Sequence, residues 1–424
     1  MAEVAVIGGG VAGIQAALDV ANHGVRVHLI ERQPTIGGHM AQLDKTFPTN
    51  DCSMCILSPK MVDVARNPNI ILHTLSEVTG IEGEVGDFTI TVLRHPRFVD
   101  EDECNGCGDC IEVCPVEVYN EFDAGIGVRK AIYKPHPQIV PDVTIRDADH
   151  CIDCGLCYDV CGKDAVLREE KEKEFTLHVA SVIIATGFTT FDPQIKGQYG
   201  YLRYPDVITS LEFERMINAS GPTGGKLRKI SDGTAPESIL FIQCVGSRDM
   251  TIKHGYCSGV CCMYAIKNAI LIKEKNPSIE VTICYMDIRA YGKGYEEYYE
   301  RAKDAGIRFL RGIPGEIIRT KTGMEVPVED TETAEYEVLT PDIVVLSVGM
   351  EPATGAKEIA EKFGIPVDDN DFFQPEDLKL APVNTIKPGI YIAGAAVAPK
   401  DIPDSVTQGE AAAMRAFRDA IRAG

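Results

Sequence analysis

Residues 3–7, EVAVI, read as a buried parallel strand that runs directly into Gly8-Gly9-Gly10-Val11-Ala12-Gly13. An apolar-periodic helix, IQAALDVANHG, follows, and the next strand, VRVHLI, ends at Glu31. Strand, glycines, helix, strand and acid in this register commit the N-terminal part to a doubly wound α/β unit that binds a dinucleotide. Gly8, Gly10 and Gly13 permit a tight turn and let backbone N–H groups approach a pyrophosphate. The helix N-terminus favours that anion. Glu31 can accept from ribose hydroxyls, and Arg32 beside it joins the candidate cofactor contacts.

Three later segments favour FAD over NAD. Gly37-Gly38, with His39 behind them, follow Glu31 by six residues, as in flavoprotein disulfide reductases. The strand SVIIATG ends in Ala185-Thr186-Gly187 and resembles the segment that returns under the flavin in those enzymes. Near the C-terminus, TIKPGIYIAGAAVAPKDIPDSVTQGEAAAMRAF reads as strand, glycine turn and helix. Related flavoproteins place an aspartate on the ribityl chain at that turn, whereas Ala395 follows Gly394 here, so backbone or another side chain must serve. Ser405 and Gln408 complete the candidate set, with Gln408 read at the helix start, facing the isoalloxazine. Lys60 and Lys400 could place positive charge near the flavin, although surface lysines are the commoner case.

The chain has fifteen cysteines, and fourteen of them fall into tight groups, which is the signature of clusters or redox pairs rather than a disulfide framework. Cys284 stands alone in an apolar stretch and reads as a core thiol. Between the strand at 87–95 and the strand read at 174–187 lie about 75 residues carrying two ferredoxin runs. The first is Cys104, Cys107, Cys110 and Cys114 followed by Pro115; the second is Cys151, Cys154, Cys157 and Cys161 followed by Gly162. In such runs three cysteines wrap one cluster and the fourth points at the other. Cys104, Cys107, Cys110 and Cys161 are therefore expected on one [4Fe–4S] cluster, and Cys151, Cys154, Cys157 and Cys114 on the second. Zinc is the bland alternative, and two repeated x2-x2-x3 runs speak against it.

From about residue 236 a second alternating α/β pattern begins. A disulfide reductase would bind NAD(P)H there with a second glycine triplet, but the chain has Cys244-Val-Gly246-Ser-Arg-Asp instead. Direct NAD(P)H oxidation is not expected. Cys244, Cys257, Cys261 and Cys262 stand in its place, and by spacing alone they could hold a further [4Fe–4S] cluster or act as a redox dithiol. Cys52 and Cys55 are candidates for a catalytic disulfide-exchanging pair, against the plainer reading of buried thiols that shape the flavin pocket.

The segments TNDCSMCILSPKM at 49–61, QCVGSR at 243–248, YCSGVCC at 256–262, MDIRAYGKGY at 286–295 and PKDIPDSV at 399–406 together resemble the A-type component of heterodisulfide reductase from end to end. The resemblance implies that Cys244, Cys257, Cys261 and Cys262 hold an unusual cluster near the flavin. It also implies a complex with heterodisulfide reductase B- and C-like subunits, a hydrogenase or dehydrogenase delivery module and ferredoxin, in which the flavin can bifurcate electrons. Larger family members carry further iron–sulfur segments at both ends. A plain electron relay or confurcating component of a quinone-linked or aromatic-ring-reducing complex and a self-sufficient NAD(P)H-dependent disulfide oxidoreductase remain the alternatives, with a scaffold whose flavin does not turn over as the least attractive.

A formal net charge of −21 argues against nucleic acid, whose phosphates need a basic surface. No apolar run reaches bilayer length, and the N-terminus lacks a basic region ahead of an apolar core, so a cytoplasmic protein with membrane contact only through partners is expected. The expected fold is α/β: a Rossmann-like two-domain, thioredoxin-reductase-like flavoprotein with an inserted α+β ferredoxin domain. Its FAD domain takes residues 1–97, 172–235 and 350–424, the insertion 98–171, and a degenerate NAD(P)-binding-like domain 236–349.

Overall fold

The computed structural model describes residues 2–424. They form two compact units: the stretch up to Ala41 with Met54–Phe188 and Pro352–Gly424, and Gln42–Ser53 with Thr189–Glu351.

The first unit is built on a five-stranded parallel sheet in the order Ile390–Ile392, Ser181–Ile184, Val4–Ile7, Val27–Ile30, Ile70–His73. Val4–Ile7, Val27–Ile30 and Ser181–Ile184 are buried along their whole length, as strands covered on both faces must be. One face carries the helices Val11–Asn22 and Ile402–Ala423, packed through small residues such as Ala16, Ala17, Ala412, Ala413 and Ala416. On the other face Ala5 and Ile7 meet Phe88, Ile90 and Val92, from an antiparallel sheet of Ser76–Glu84, Asp87–Arg94 and Lys173–Val179. The stretch read as one strand over 174–187 is thus two strands in two sheets. The break falls at Ala180, whose N–H turns to the Glu3 carbonyl.

The insertion at 98–171 leaves and re-enters through neighbouring strands, since Arg94 pairs with Lys173. It has its own small core of Val99, Cys110, Ile132, Val143, Cys157, Ala165 and Val166. Two strand pairs, Glu117–Tyr119 with Val128–Lys130 and Ile132–Tyr133 with Ile145–Arg146, accompany the short helices Asp109–Glu112 and Leu156–Val160.

The second unit repeats the parallel plan with the order Val207–Thr209, Ile343–Val348, Ser238–Val245, Glu280–Tyr285, Arg308–Arg311. Residues 189–235 were expected with the FAD domain, but they lie in this unit and supply its edge strand. That edge leads into the helix Ser210–Ile217 through a capping box of Thr209 and Glu212. Glu214 of this helix forms a buried ion pair with Lys267 of the helix Cys261–Lys275. Its other carboxylate oxygen accepts the Asp44 N–H at 3.0 Å, tying the 42–53 segment to the helix pair. Among the described residues no helix is long and apolar enough to cross a membrane.

A chain of polar contacts crosses the N-terminal strands: Glu3 Oε2 to His28 Nε2 at 2.6 Å, and His28 Nδ1 to His73 Nε2 at 3.0 Å. Burial, reinforced by His28, lowers His73 to about 4, whereas an unfolded histidine titrates near 6.5. Between those values the unfolded state binds more protons, so stability present above pH 6.5 is lost as pH falls toward 4. The contribution is at most about 3 kcal/mol. Denaturant titrations between pH 7.5 and 5 should show this dependence weakened in His73→Gln; an unchanged slope would rule out His73 as its source.

Candidate functional site

In the first unit the strand order reverses between Val4–Ile7 and Ser181–Ile184, and the glycine turn sits at that switch point, where open α/β sheets bind ligands. Gly8 has φ +106°, and a Cβ there would lie 2.3 Å from the Ala185 carbonyl oxygen. At Gly13 a Cβ would meet the Gly8 oxygen at 1.8 Å. These two positions let strand, helix and the Ala185–Gly187 segment close on one another. Gly10 caps the helix with no side chain near it, facing open space. Glu31 is buried, which raises its pKa. Its two oxygens accept from Gly9 N–H at 2.6 Å and Gln33 N–H at 2.8 Å, so it holds the turn as well as offering acceptor lone pairs to a ribose.

Gly38 opens a 3-10 turn packed on Gly10, and Gly37 N–H donates to the Gly9 carbonyl. His39 Nε2 lies 3.1 Å from the Phe188 carbonyl, with its ring 4.4 Å from that of Phe188, which gives it a structural partner. Arg32 donates to the Thr354 carbonyl at 2.9 Å, and Lys60 to Gln15 at 2.7 Å. Thr186 has a buried hydroxyl with no partner among the described residues, a group that needs an acceptor or donor from outside the chain. Gly394 and buried Ala395 form the turn before the C-terminal helix. That helix begins at Ile402, capped by Asp401 onto the Asp404 N–H, so Gln408 is not at its start. Gln408 instead accepts the Gly394 N–H at 3.0 Å and fixes the turn, while Ser405 is buried in the first turn. Lys400 is half-buried, which lowers its pKa.

The two cysteine runs of the insertion fold alike. Gly108 and Gly155 adopt left-handed conformations and start the short helices that carry Cys110 and Cys157. Cys114, at the end of the first run, lines one cavity together with Cys151, Cys154 and Cys157 of the second. On the other side Cys110 is flanked by Cys104 and Cys107, and burial raises it to about 11. Cys161 accepts the Ala165 N–H at 3.3 Å and packs in the same core. Arg146 and Thr144, which no motif marked, reach these thiols.

In the second unit the strand order reverses between Ser238–Val245 and Ile343–Val348, and cysteines stand at that switch point. Cys244 sits at a break in strand register with φ +61°. Cys261 and Cys262 open the helix Cys261–Lys275 and are buried; Cys257 precedes them. Burial, with Cys262 next, pushes Cys244 up to about 12, and burial raises Cys261 and Cys262 as well. The helix starts well beyond the strand end, so no helix N-terminus follows the strand as a phosphate cradle requires. Cys52 ends a hairpin and Cys55 lies in the first turn of the helix Ser53–Arg66. Both are disulfide-bonded, and the other thirteen cysteines are free.

The family model of the pyridine nucleotide-disulphide oxidoreductases matches residues 2–219. The chain is 56% identical over 415 residues to one of the A-type iron-sulfur subunits of CoB--CoM heterodisulfide reductase from Methanopyrus kandleri, covering 97% of this chain. It is 51% identical over 413 residues to the A-type component of the H(2):CoB-CoM heterodisulfide,ferredoxin reductase of Methanothermobacter marburgensis, again over 97% of this chain. The chain spans 63% of the length of each of these relatives. The resemblance read from the motifs is thus matched by similarity along nearly the whole chain. Among solved structures, thioredoxin reductases from Lactococcus lactis (TM-score 0.56, 18% identical, all of both chains) and T. acidophilum (TM-score 0.55, 17% identical, 99% of both) share the fold.

The close approach at Gly8 yields a test. Gly8→Ala is expected to weaken FAD binding by more than about tenfold in a titration of flavin-free protein. Gly162→Ala, where an added Cβ meets nothing within 4 Å, should bind as the parent does.

Proposed function

Because the chain belongs to the pyridine nucleotide-disulphide oxidoreductase family, we propose that it is an oxidoreductase subunit that binds FAD at the Gly8–Gly13 turn and three [4Fe–4S] clusters at its cysteine groups. It passes electrons between them within a heterodisulfide-reductase-like complex. The observation that carries this reading is the convergence of Cys114 with Cys151, Cys154 and Cys157 on one cavity, the crossing of ligands between runs that a two-cluster ferredoxin requires.

When bound, FAD supplies exchange between two-electron and one-electron chemistry, and iron–sulfur clusters supply one-electron steps. The chain's own part is binding and control. Backbone N–H groups at the glycine turn and the N-terminus of Val11–Asn22 hold the pyrophosphate, Glu31 the ribose, and the Thr186 hydroxyl a further polar group of the cofactor. The thiols at 244, 261 and 262, half-buried at Cys244 and buried at the other two, suit iron rather than disulfide exchange. An exchanging thiol needs an exposed, low-pKa setting, whereas burial raises all three here and a bound metal would favour their thiolates.

The relatives' names join a heterodisulfide with hydrogen and ferredoxin. They support partners of B- and C-like type, a hydrogenase or dehydrogenase module and ferredoxin, with one electron sent to a high-potential and one to a low-potential acceptor. Cysteines at the second switch point disfavour NAD(P)H as direct donor. The bonded Cys52 and Cys55 favour one competing reading, a disulfide oxidoreductase. Rapid oxidation of the reduced flavin by a disulfide acceptor, itself reduced to its dithiol in a step that depends on Cys52, would support it over the relay.

Iron, sulfide and flavin per chain decide the proposal. About twelve iron atoms with one FAD are expected; about eight would leave Cys244, Cys257, Cys261 and Cys262 as thiols. Cys114→Ser should perturb the same signal as Cys151→Ser and leave that of Cys104→Ser intact. If Cys114→Ser instead altered the Cys104 signal, the crossed ligand set would be wrong.

A further inference from the structure

We propose that Arg146 sets the two clusters of the insertion at unequal potentials, making the site of Cys114, Cys151, Cys154 and Cys157 the better electron acceptor of the pair. The inference rests on the ligand sets proposed above and concerns what surrounds them.

One short stretch serves both sites. Thr144 immediately precedes the strand Ile145–Arg146, and Arg146 ends it. Thr144 Oγ1 lies 3.8 Å from Cys110 Sγ, and Arg146 Nη1 lies 4.0 Å from Cys151 Sγ. The same short stretch thus gives the first site a neutral hydroxyl and the second a permanent cation.

That cation is built in. The Arg146 side chain is 5% exposed and lines the cavity with the four cysteines. It donates to Tyr158 Oη at 2.6 Å and to the Arg168 carbonyl at 2.9 Å, and its guanidinium carbon lies 4.5 Å from the Phe98 ring centroid. Its Nε is buried with no partner among the described residues, leaving a donor for a sulfur atom. The carboxylate it pairs with, Asp153 at 3.2 Å, is 81% exposed, so solvent screens that charge far more than it screens the guanidinium.

At the first site Lys134, which reaches the backbone between Cys104 and Cys107, is already paired. Lys134 Nζ bonds the Gly106 carbonyl at 2.6 Å and Asp142 at 2.5 Å, with no thiol among these partners. Reduction adds one negative charge to a four-thiolate cluster. A buried cation beside a ligand sulfur favours the reduced form and raises the potential.

The test is a redox titration followed by electron paramagnetic resonance on the intact protein, with Cys107→Ser marking the first cluster by its altered signal. In the parent, the cluster whose signal Cys107→Ser leaves unaltered should be reduced first. Arg146→Gln should shift its reduction equilibrium at least tenfold toward the oxidised form, about 59 mV for a one-electron couple, and leave the first cluster unchanged. Arg146→Lys should restore most of the shift. If both clusters load and Arg146→Gln leaves the order and potentials as they were, the inference is overturned. A parent protein in which the cluster whose signal Cys107→Ser alters is reduced first overturns it even if Arg146→Gln cannot be loaded. Iron too low for two clusters in the insertion would instead defeat the ligand reading, and this inference with it.

Discussion

The buried guanidinium of Arg97 is the contact on which the first unit depends. It has no exposed surface, and it bonds Glu101 at 2.7 Å, the Pro34 carbonyl at 3.0 Å, Thr74 Oγ1 at 2.7 Å and the Val143 carbonyl at 3.4 Å. Burying a charge costs several kcal/mol unless every donor is met, and here all the donor nitrogens are. Two backbone bonds run beside it: Ile36 N–H to the Val140 carbonyl, and Val140 N–H to Thr35 Oγ1. Pro34, Thr35 and Ile36 lead into the Gly37-Gly38 turn that packs on the dinucleotide glycines. Val140 and Val143 lead into Thr144 and Arg146, which reach the cysteines. One side chain therefore fixes the separation between the cofactor turn and the insertion's sulfur sites.

The two units place their chemistry at the same topological position and fill it differently. Where the first has glycines that let strand, helix and the returning segment approach closely, the second has a strand end kinked through a left-handed Cys244. A non-glycine residue in that conformation costs of order 1 kcal/mol or more. Surrounding order offsets it: Ser247 and Ser258 hydroxyls bond at 2.6 Å, and Ser258 Oγ accepts the Met350 N–H. The displaced strand end turns a sulfur toward the cysteines that open the next helix. The plan of the fold is kept while the residues at the switch point change from glycine to cysteine, which is why fold alone does not name the ligand.

The parts legible in the sequence were those encoded by spacing. The strand–glycine–helix–strand–acid run and the two ferredoxin runs place their residues by local backbone rules: the glycine turn lies where spacing put it, and Cys114 lines one cavity with cysteines of the second run. Contacts made across long sequence distances had no such signal. Arg97 and Arg146 look like ordinary basic residues in the sequence; only the segments that bury them give them roles. The split of 174–187 and the transfer of 189–235 to the second sheet follow from which strand edge is free to pair, which hydrophobic pattern does not reveal. The misplaced start of the C-terminal helix had a readable remedy in Asp401-Ile-Pro-Asp404, a capping aspartate followed by a proline in the first turn.

The neck of the insertion bears on how such a chain folds. Because Arg94 and Lys173 pair across adjacent strands, the parent sheet meets the whole insertion as a single long hairpin connection. Loop-closure entropy grows only with the logarithm of length, so lengthening a four-residue turn roughly twentyfold costs the parent sheet about 3 kcal/mol. A sum of that size is within reach of the few buried bonds around Arg97. A sulfur-rich module can thus be carried in the middle of a dinucleotide fold without altering the strand order around it.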